Sequence, residues 1–223
     1  MERNNITSYF IEQDSTLAIL QEPYNDEYTC FNTGGVEIEV GEFLYGFIRM
    51  IKPELVLETG TNFGISAMYI AQALKDNGRG KLLSLERLLI CKEIAQNRMK
   101  ILGLEDYVEL ILIDSRDYKT ERVYDFVFLD TEPCYRFQEF LTVFPNISAG
   151  GFVAIHDLHP HMQQLNVPPG PFGIIPETLK FLILNHTLQV FHFKTPRGLT
   201  FFQKISSEHY SNALLLSVSH PWG

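Results

Sequence analysis

The chain has 223 residues, 45% hydrophobic and 20% charged, enough for one large domain or two small ones with a packed core. A net charge of −9 and a pI of about 5.2 argue against a nucleic-acid backbone or an acidic membrane as partner, since both select basic surfaces. No apolar run is long enough to cross a membrane, and the N-terminus MERNNITSYF has no apolar signal core. The three cysteines, Cys30, Cys91 and Cys134, lack metal-type spacing, so reduced thiols in a cytoplasmic protein are expected.

Residues 1 to about 30 are polar and aromatic, with weak helical patterning from Leu17 to Leu20. Asn32 to Gly35 reads as a turn. Gly41 to Met50 has helical periodicity and stops before Lys52-Pro53. Leu55, Val56 and Leu57 form a short apolar run that ends at Glu58. Gly60 and Gly64 bracket a tight turn, after which Ile65, Met68, Tyr69 and Ala73 recur at helical spacing. Lys81 to Glu86 is a strand, and Leu89 to Leu102 a helix ended by Gly103. Val108 to Ile113 and Phe126 to Asp130 are strands, and Tyr135 to Phe144 is a helix. Ser148 to Gly151 reads as a turn before the strand Phe152 to Ile155, which stops at His156-Asp157. Apolar runs separated by helices are buried parallel strands.

His159 to Pro176 breaks this alternation with five prolines and two glycines, and is expected to be a lid or pocket wall. Glu177 to Asn185 resumes as a helix. Leu188 to Phe193 and Leu199 to Lys204 read as an antiparallel hairpin around Pro196-Arg197-Gly198. The predicted fold is α/β, a Rossmann-like doubly wound sheet of seven strands, mostly parallel with an antiparallel last strand. The expected organisation is an N-terminal extension or cap over 1–40, a main domain over 41–205 and a tail over 206–223. The tail's apolar patch, Leu214 to Leu216, could pack on a partner subunit, so a homodimer is one expectation.

The stretch ETGTNFGIS carries the chemistry. A dinucleotide site wants G-x-G-x-x-G, but position 62 is Asn, so the glycine that admits a pyrophosphate is missing. What stands instead is E-x-G-x-x-x-G-x-S: Glu58, Gly60, Gly64 and Ser66. In an open parallel sheet ligands bind at the carboxyl ends of the strands. There the sequence places Glu58, Glu86, Asp114, Asp130 and the pair His156-Asp157. Five successive strands each end in an acid or an acid–histidine pair. An ordinary strand-to-helix turn with solvated acids is the plain structural alternative.

The motif and the ordered acids resemble the class I S-adenosylmethionine-dependent methyltransferases, most closely their catechol-O-methyltransferase-like branch. The resemblance runs from about Gly41 to Lys204 and includes GLTFFQK as a closing strand. It implies S-adenosylmethionine as cofactor and a small-molecule hydroxyl as methyl acceptor. Gly60, Thr61 and Asn62 would then meet the methionine end of the cofactor, with Glu58 reaching its ammonium directly or through water. Glu86, 86 − 64 = 22 residues past the second glycine, would accept the ribose hydroxyls. Asp114, followed by Ser115, would accept from the adenine amino group.

Asp130, His156 and Asp157 would lie at the acceptor side. In the metal-dependent branch these strand ends hold a divalent ion, usually magnesium, through two acids and an amide. Here the last pair is His156-Asp157 rather than Asp-Asn. Magnesium tolerates imidazole poorly; manganese or iron would accept it more readily. The catechol enzymes also carry a lysine base where this chain has Pro133. Two mechanisms stay open: a metal held by Asp130 and Asp157, with or without His156, or no metal and His156 or Asp130 as general base. His159 and His161 lie just beyond and are candidates for a cluster or for solvent. Tyr135, Phe137 and Phe172 suggest an apolar or aromatic acceptor, although such residues often simply pack. The competing readings are a fold that kept its ligand and lost catalysis, and a nicotinamide-dependent oxidoreductase.

Overall fold

A computed structural model describes residues 5–158 and 188–205. The expected lid, the helix over 177–185, His159, His161, Phe172 and the apolar tail lie outside the described residues. Seven strands form one mostly parallel, Rossmann-like sheet in the order Val108–Leu112, Lys81–Glu86, Leu55–Thr59, Tyr124–Leu129, Ile147–His156, Leu199–Lys204 and Leu188–Phe193. The chain divides into two compact units, 1–118 and 119–223.

The first unit contains α1 (Ile6–Gln13), β1 (Ile19–Gln21), β2 (Thr29–Phe31), α2 (Ile38–Ile51), β3 (Leu55–Thr59), α3 (Ile65–Asn77), β4 (Lys81–Glu86), α4 (Leu89–Ile101) and β5 (Val108–Leu112). β3 pairs parallel with β4, and β4 with β5. Val56, Leu57, Leu82, Leu83 and Leu85 are buried, as parallel strands covered on both faces require. Helix α2 starts three residues earlier than its periodicity predicts, and Lys52 closes it in a left-handed cap. It packs closely on α3 because Gly41 leaves space: a Cβ there would stand 2.4 Å from the Tyr69 ring. Tyr69 is itself buried and shares a 2.7 Å hydrogen bond with Thr7 Oγ1 of α1.

The helical patterning from Leu17 to Leu20 is overturned. Ile19–Gln21 is instead an edge of a two-stranded antiparallel ribbon with Thr29–Phe31. Asn32 closes the ribbon: its amide donates to Ala18 O at 2.8 Å and its Oδ1 accepts from Ala18 N at 3.0 Å. A long-range pairing with side-chain closure outweighs a weak local helical preference.

The second unit contains β6 (Tyr124–Leu129), α5 (Arg136–Val143), β7 (Ile147–His156), β8 (Leu188–Phe193) and β9 (Leu199–Lys204). β6 and β7 are parallel, and β9 runs antiparallel to both β7 and β8. The hairpin strands match their predicted bounds. The turn expected at Ser148–Gly151 lies inside β7 instead. The register jumps there, Tyr124 facing Ile147 while Phe126 faces Phe152, and Gly150 takes φ +79°. The turn chemistry is real, but it makes a bulge within a strand rather than a break before one. Buried Lys204, at the end of β9, donates to the carbonyls of Phe144, Pro145 and Ile147 at 3.3, 3.3 and 2.7 Å.

Candidate functional site

In the first unit, three polar chains fix the turn between β3 and α3. The Gly60 and Thr61 amides both donate to Leu85 O, at 3.0 and 3.1 Å, and the Gly64 amide donates to Thr61 O at 2.9 Å. Gly60, Asn62 and Gly64 take positive φ of 85°, 48° and 80°. Glu58 is fully buried and accepts from Ser84 Oγ, which also meets Thr61 Oγ1. Glu58 therefore holds the turn from beneath.

Glu86 ends β4 and is 7% exposed. Its Oε2 accepts from the Asn62 amide at 2.7 Å and its Oε1 from the Leu88 amide at 2.8 Å. A carboxylate has about four acceptor directions, so each oxygen retains one beyond these amides. The glycine turn and the β4 acid are thus one structure, as the sequence spacing requires. This arrangement fits a nucleoside ligand: a diol could be accepted by Glu86 while the exposed Asn62 side chain stands beside it on the turn.

Three further positions, Gly64, Ser66 and Asp114, have neighbours within the protein. Gly64 opens α3, and a Cβ there would stand 3.1 Å from both Ala95 Cβ and Met99 Cε of α4, so this glycine serves helix packing. Ser66 is buried in the first turn of α3. Asp114, half-buried beside Ser115, is gripped by Arg116: Nε to Oδ1 at 2.9 Å and Nη2 to Oδ2 at 2.6 Å. The Arg116 guanidinium and amide hold its carboxyl down at about 2.

A residue that sequence reasoning missed braces the turn from behind. Arg98 of α4 is buried, donates from Nε to Asp14 Oδ2 at 3.0 Å, and donates from Nη1 to Phe63 O. Asp14 caps the end of α1, so the N-terminal helix is tied to the glycine turn. Burial alone would raise the Asp14 carboxyl, but hydrogen bonds from Thr16 and Arg98 hold it below the usual range.

In the second unit, Asp130, His156 and Asp157 come together as predicted. One ligand-type atom from each lies within 4.8 Å of the others, a spacing a metal ion could bridge. His156 is fully buried, and its Nδ1 lies 3.0 Å from Asp130 Oδ1 and 3.5 Å from Asp157 Oδ1. An ionised carboxylate only accepts, so the shorter bond places the proton on Nδ1.

The second missed residue is Arg136, at the start of α5 and 4% exposed. Its Nη2 donates to Asp130 Oδ1 at 3.1 Å, to Asp157 Oδ2 at 2.9 Å and to Thr131 O, while Nη1 donates to His156 O. Arg197 of the β8–β9 turn stands 3.7 Å from Asp157 Oδ1. Burial pushes the Asp157 carboxyl up, but His156, Arg136 and Arg197 together hold it below the ordinary value. Asp157 also takes φ +53°, a conformation non-glycine residues rarely adopt.

The seven-stranded, mostly parallel sheet with its antiparallel strand is that of the Rossmann-like methyltransferase fold. A family model described as "Methyltransferase domain" matches residues 57–158. Solved structures agree on the fold. An O-methyltransferase from Bacillus cereus in complex with S-adenosylhomocysteine has a TM-score of 0.65 at 18% identity, covering 76% of this chain and 82% of that one. The O-methyltransferase TomG from Streptomyces achromogenes, in complex with S-adenosylmethionine, has 0.64 at 20%, covering 77% and 82%. The S-adenosylhomocysteine-bound methyltransferase PaMTH1 from Podospora anserina has 0.63 at 15%, covering 90% and 94%. No curated protein matches the chain by sequence. Among the described residues, no helix is long and apolar enough to cross a membrane.

Proposed function

We propose that the chain is an S-adenosylmethionine-dependent O-methyltransferase acting on a small-molecule hydroxyl in the cytoplasm. The observation that carries this is Glu86, whose two oxygens are aimed by the Asn62 and Leu88 amides and keep capacity for a ribose diol. The matched methyltransferase domain and the cofactor complexes of the structural neighbours support it. The cofactor supplies an electrophilic methyl on a sulfonium. Everything else falls to the protein. Gly60, Thr61 and Asn62 receive the methionine end, Glu86 fixes the ribose, and Asp114 with Ser115 borders the adenine.

On the acceptor side, Asp130 takes the hydroxyl proton. His156 is too deeply buried to meet an acceptor directly, so it orients and polarises Asp130 through Nδ1. Asp157, kept ionised, accepts a hydrogen bond. General-base assistance of this kind contributes about a hundred- to ten-thousand-fold, and alignment of oxygen, methyl and sulfur supplies much of the rest.

Isothermal titration tests the cofactor half. S-adenosylhomocysteine should bind and NAD should not; the reverse would remove the reading. Transfer of a labelled methyl across a panel of phenolic and other hydroxyl acceptors tests the rest.

A further inference from the structure

The proposed activity leaves one chemical question, what balances the two carboxylates of the acceptor-side cluster. A divalent ion is one answer, and the donor atoms are near enough together for one. The structure supplies another. Asp130 and Asp157 carry two negative charges; Arg136 contacts both acids, and Arg197 adds a second positive charge 3.7 Å from Asp157. A single guanidinium nitrogen, Arg136 Nη2, bridges an oxygen of each acid.

We propose that the Arg136 guanidinium takes the place a divalent cation would hold, so that this centre works without a metal. Arg136 is then the positioning residue for Asp130 and Asp157. This rests on the methyltransferase reading only for what the two acids are used for.

Three features carry it. Arg136 is buried and anchored by two backbone carbonyls besides the acids, so it cannot swing aside without leaving a buried charge unpaired. A metal bound to the same oxygens would stand next to this fixed positive group and be repelled. Arg136 also opens α5, whose amide ends add positive potential at that spot. A planar fork suits this bridging role in a way a lysine ammonium does not.

The test is a manganese titration followed by electron paramagnetic resonance, on the intact wild-type chain stripped with EDTA. The free-ion signal should be undiminished, and methyl transfer should be unchanged by EDTA. One bound ion per chain in wild type, lost in D130N, would overturn the proposal. In R136Q the two acids and the imidazole lose their fixed cation, so an ion site should appear that is at least about tenfold tighter than any in wild type, a change of the size one unpaired charge produces. A folded R136Q with no such gain would also overturn it. Should R136Q fail to fold, the wild-type titration decides alone. S-adenosylhomocysteine binding, measured on the same samples, reports on the cofactor half, so the two readings fail separately.

Discussion

Glu86→Gln is the sharpest probe of the cofactor half. The wild-type carboxylate spends one acceptor direction of each oxygen on a backbone amide, at 2.7 and 2.8 Å. The remaining two would take the ribose hydroxyls. The amide replacement keeps the shape but turns one oxygen into a donor, which then confronts a backbone N–H. One ribose bond is lost and the turn is loosened. A hydrogen bond to a charged group is worth about 1.5–3 kcal/mol, or roughly ten- to 150-fold in Kd. Titration calorimetry with S-adenosylhomocysteine reads the loss directly. A urea melt of the same sample separates weakened binding from a weakened fold. Asp114→Asn supplies the internal comparison: Arg116 already engages both of its oxygens, so its effect should be the smaller of the two. An unchanged Kd in folded Glu86→Gln would refute the ribose assignment.

Other substitutions separate packing from chemistry. Gly64→Ala forces a side chain into a left-handed position against Ala95 and Met99, which should cost about 1–2 kcal/mol for the backbone and about 1–3 kcal/mol for crowding, read as a lower urea midpoint. Asp14→Asn leaves Arg98 buried without its charge partner and should cost about 3–5 kcal/mol near neutral pH. Because the folded Asp14 carboxyl is held below 3.8, its contribution is present above that value and is lost as pH falls below it. Acid unfolding curves of Asp14→Asn should therefore be flatter than wild type in that range. Asp130→Asn should abolish methyl transfer while leaving S-adenosylhomocysteine affinity nearly intact, measured by labelled transfer and by calorimetry.

The elements legible in the sequence are those whose environment writes on composition. Buried parallel strands must be apolar throughout, so LVL, FVFL and the closing hairpin could be placed to within a residue or two. The spacing of Gly60, Gly64 and Glu86 was readable because backbone geometry alone links a turn to the next strand's end. What stayed hidden depends on contacts distant in sequence. Arg98 meets Asp14 across 84 positions, and nothing local marks either as buried. Arg136 reads as an ordinary basic residue at a helix start, and only the fold brings it to Asp130 and Asp157. Gly64 was visible as a motif glycine, but its packing on α4 was not. Likewise Ser148–Gly151 carried an honest turn signal whose place, inside β7, only strand pairing decides.

Backbone strain offers an independent check on which of these positions serve a ligand. Among the described residues three non-glycines take positive φ: Lys52, Asn62 and Asp157. Lys52 is accounted for as the cap that ends α2. The other two lie at the two candidate sites, and such conformations cost about 1–3 kcal/mol each, persisting where surrounding structure holds them. Glycine at 62 would relieve that cost, so exchanging the asparagine for glycine separates what its side chain does from what its backbone does. The Asn62 amide proton goes to Glu86, and glycine would keep that bond. What glycine removes is the exposed carboxamide alone. Asn62→Gly should therefore fold at least as stably as wild type yet bind S-adenosylhomocysteine more weakly, by about the 0.5–1.5 kcal/mol of one neutral hydrogen bond. Equal affinity in a folded Asn62→Gly would show that the carboxamide is idle and that the turn acts through its backbone only.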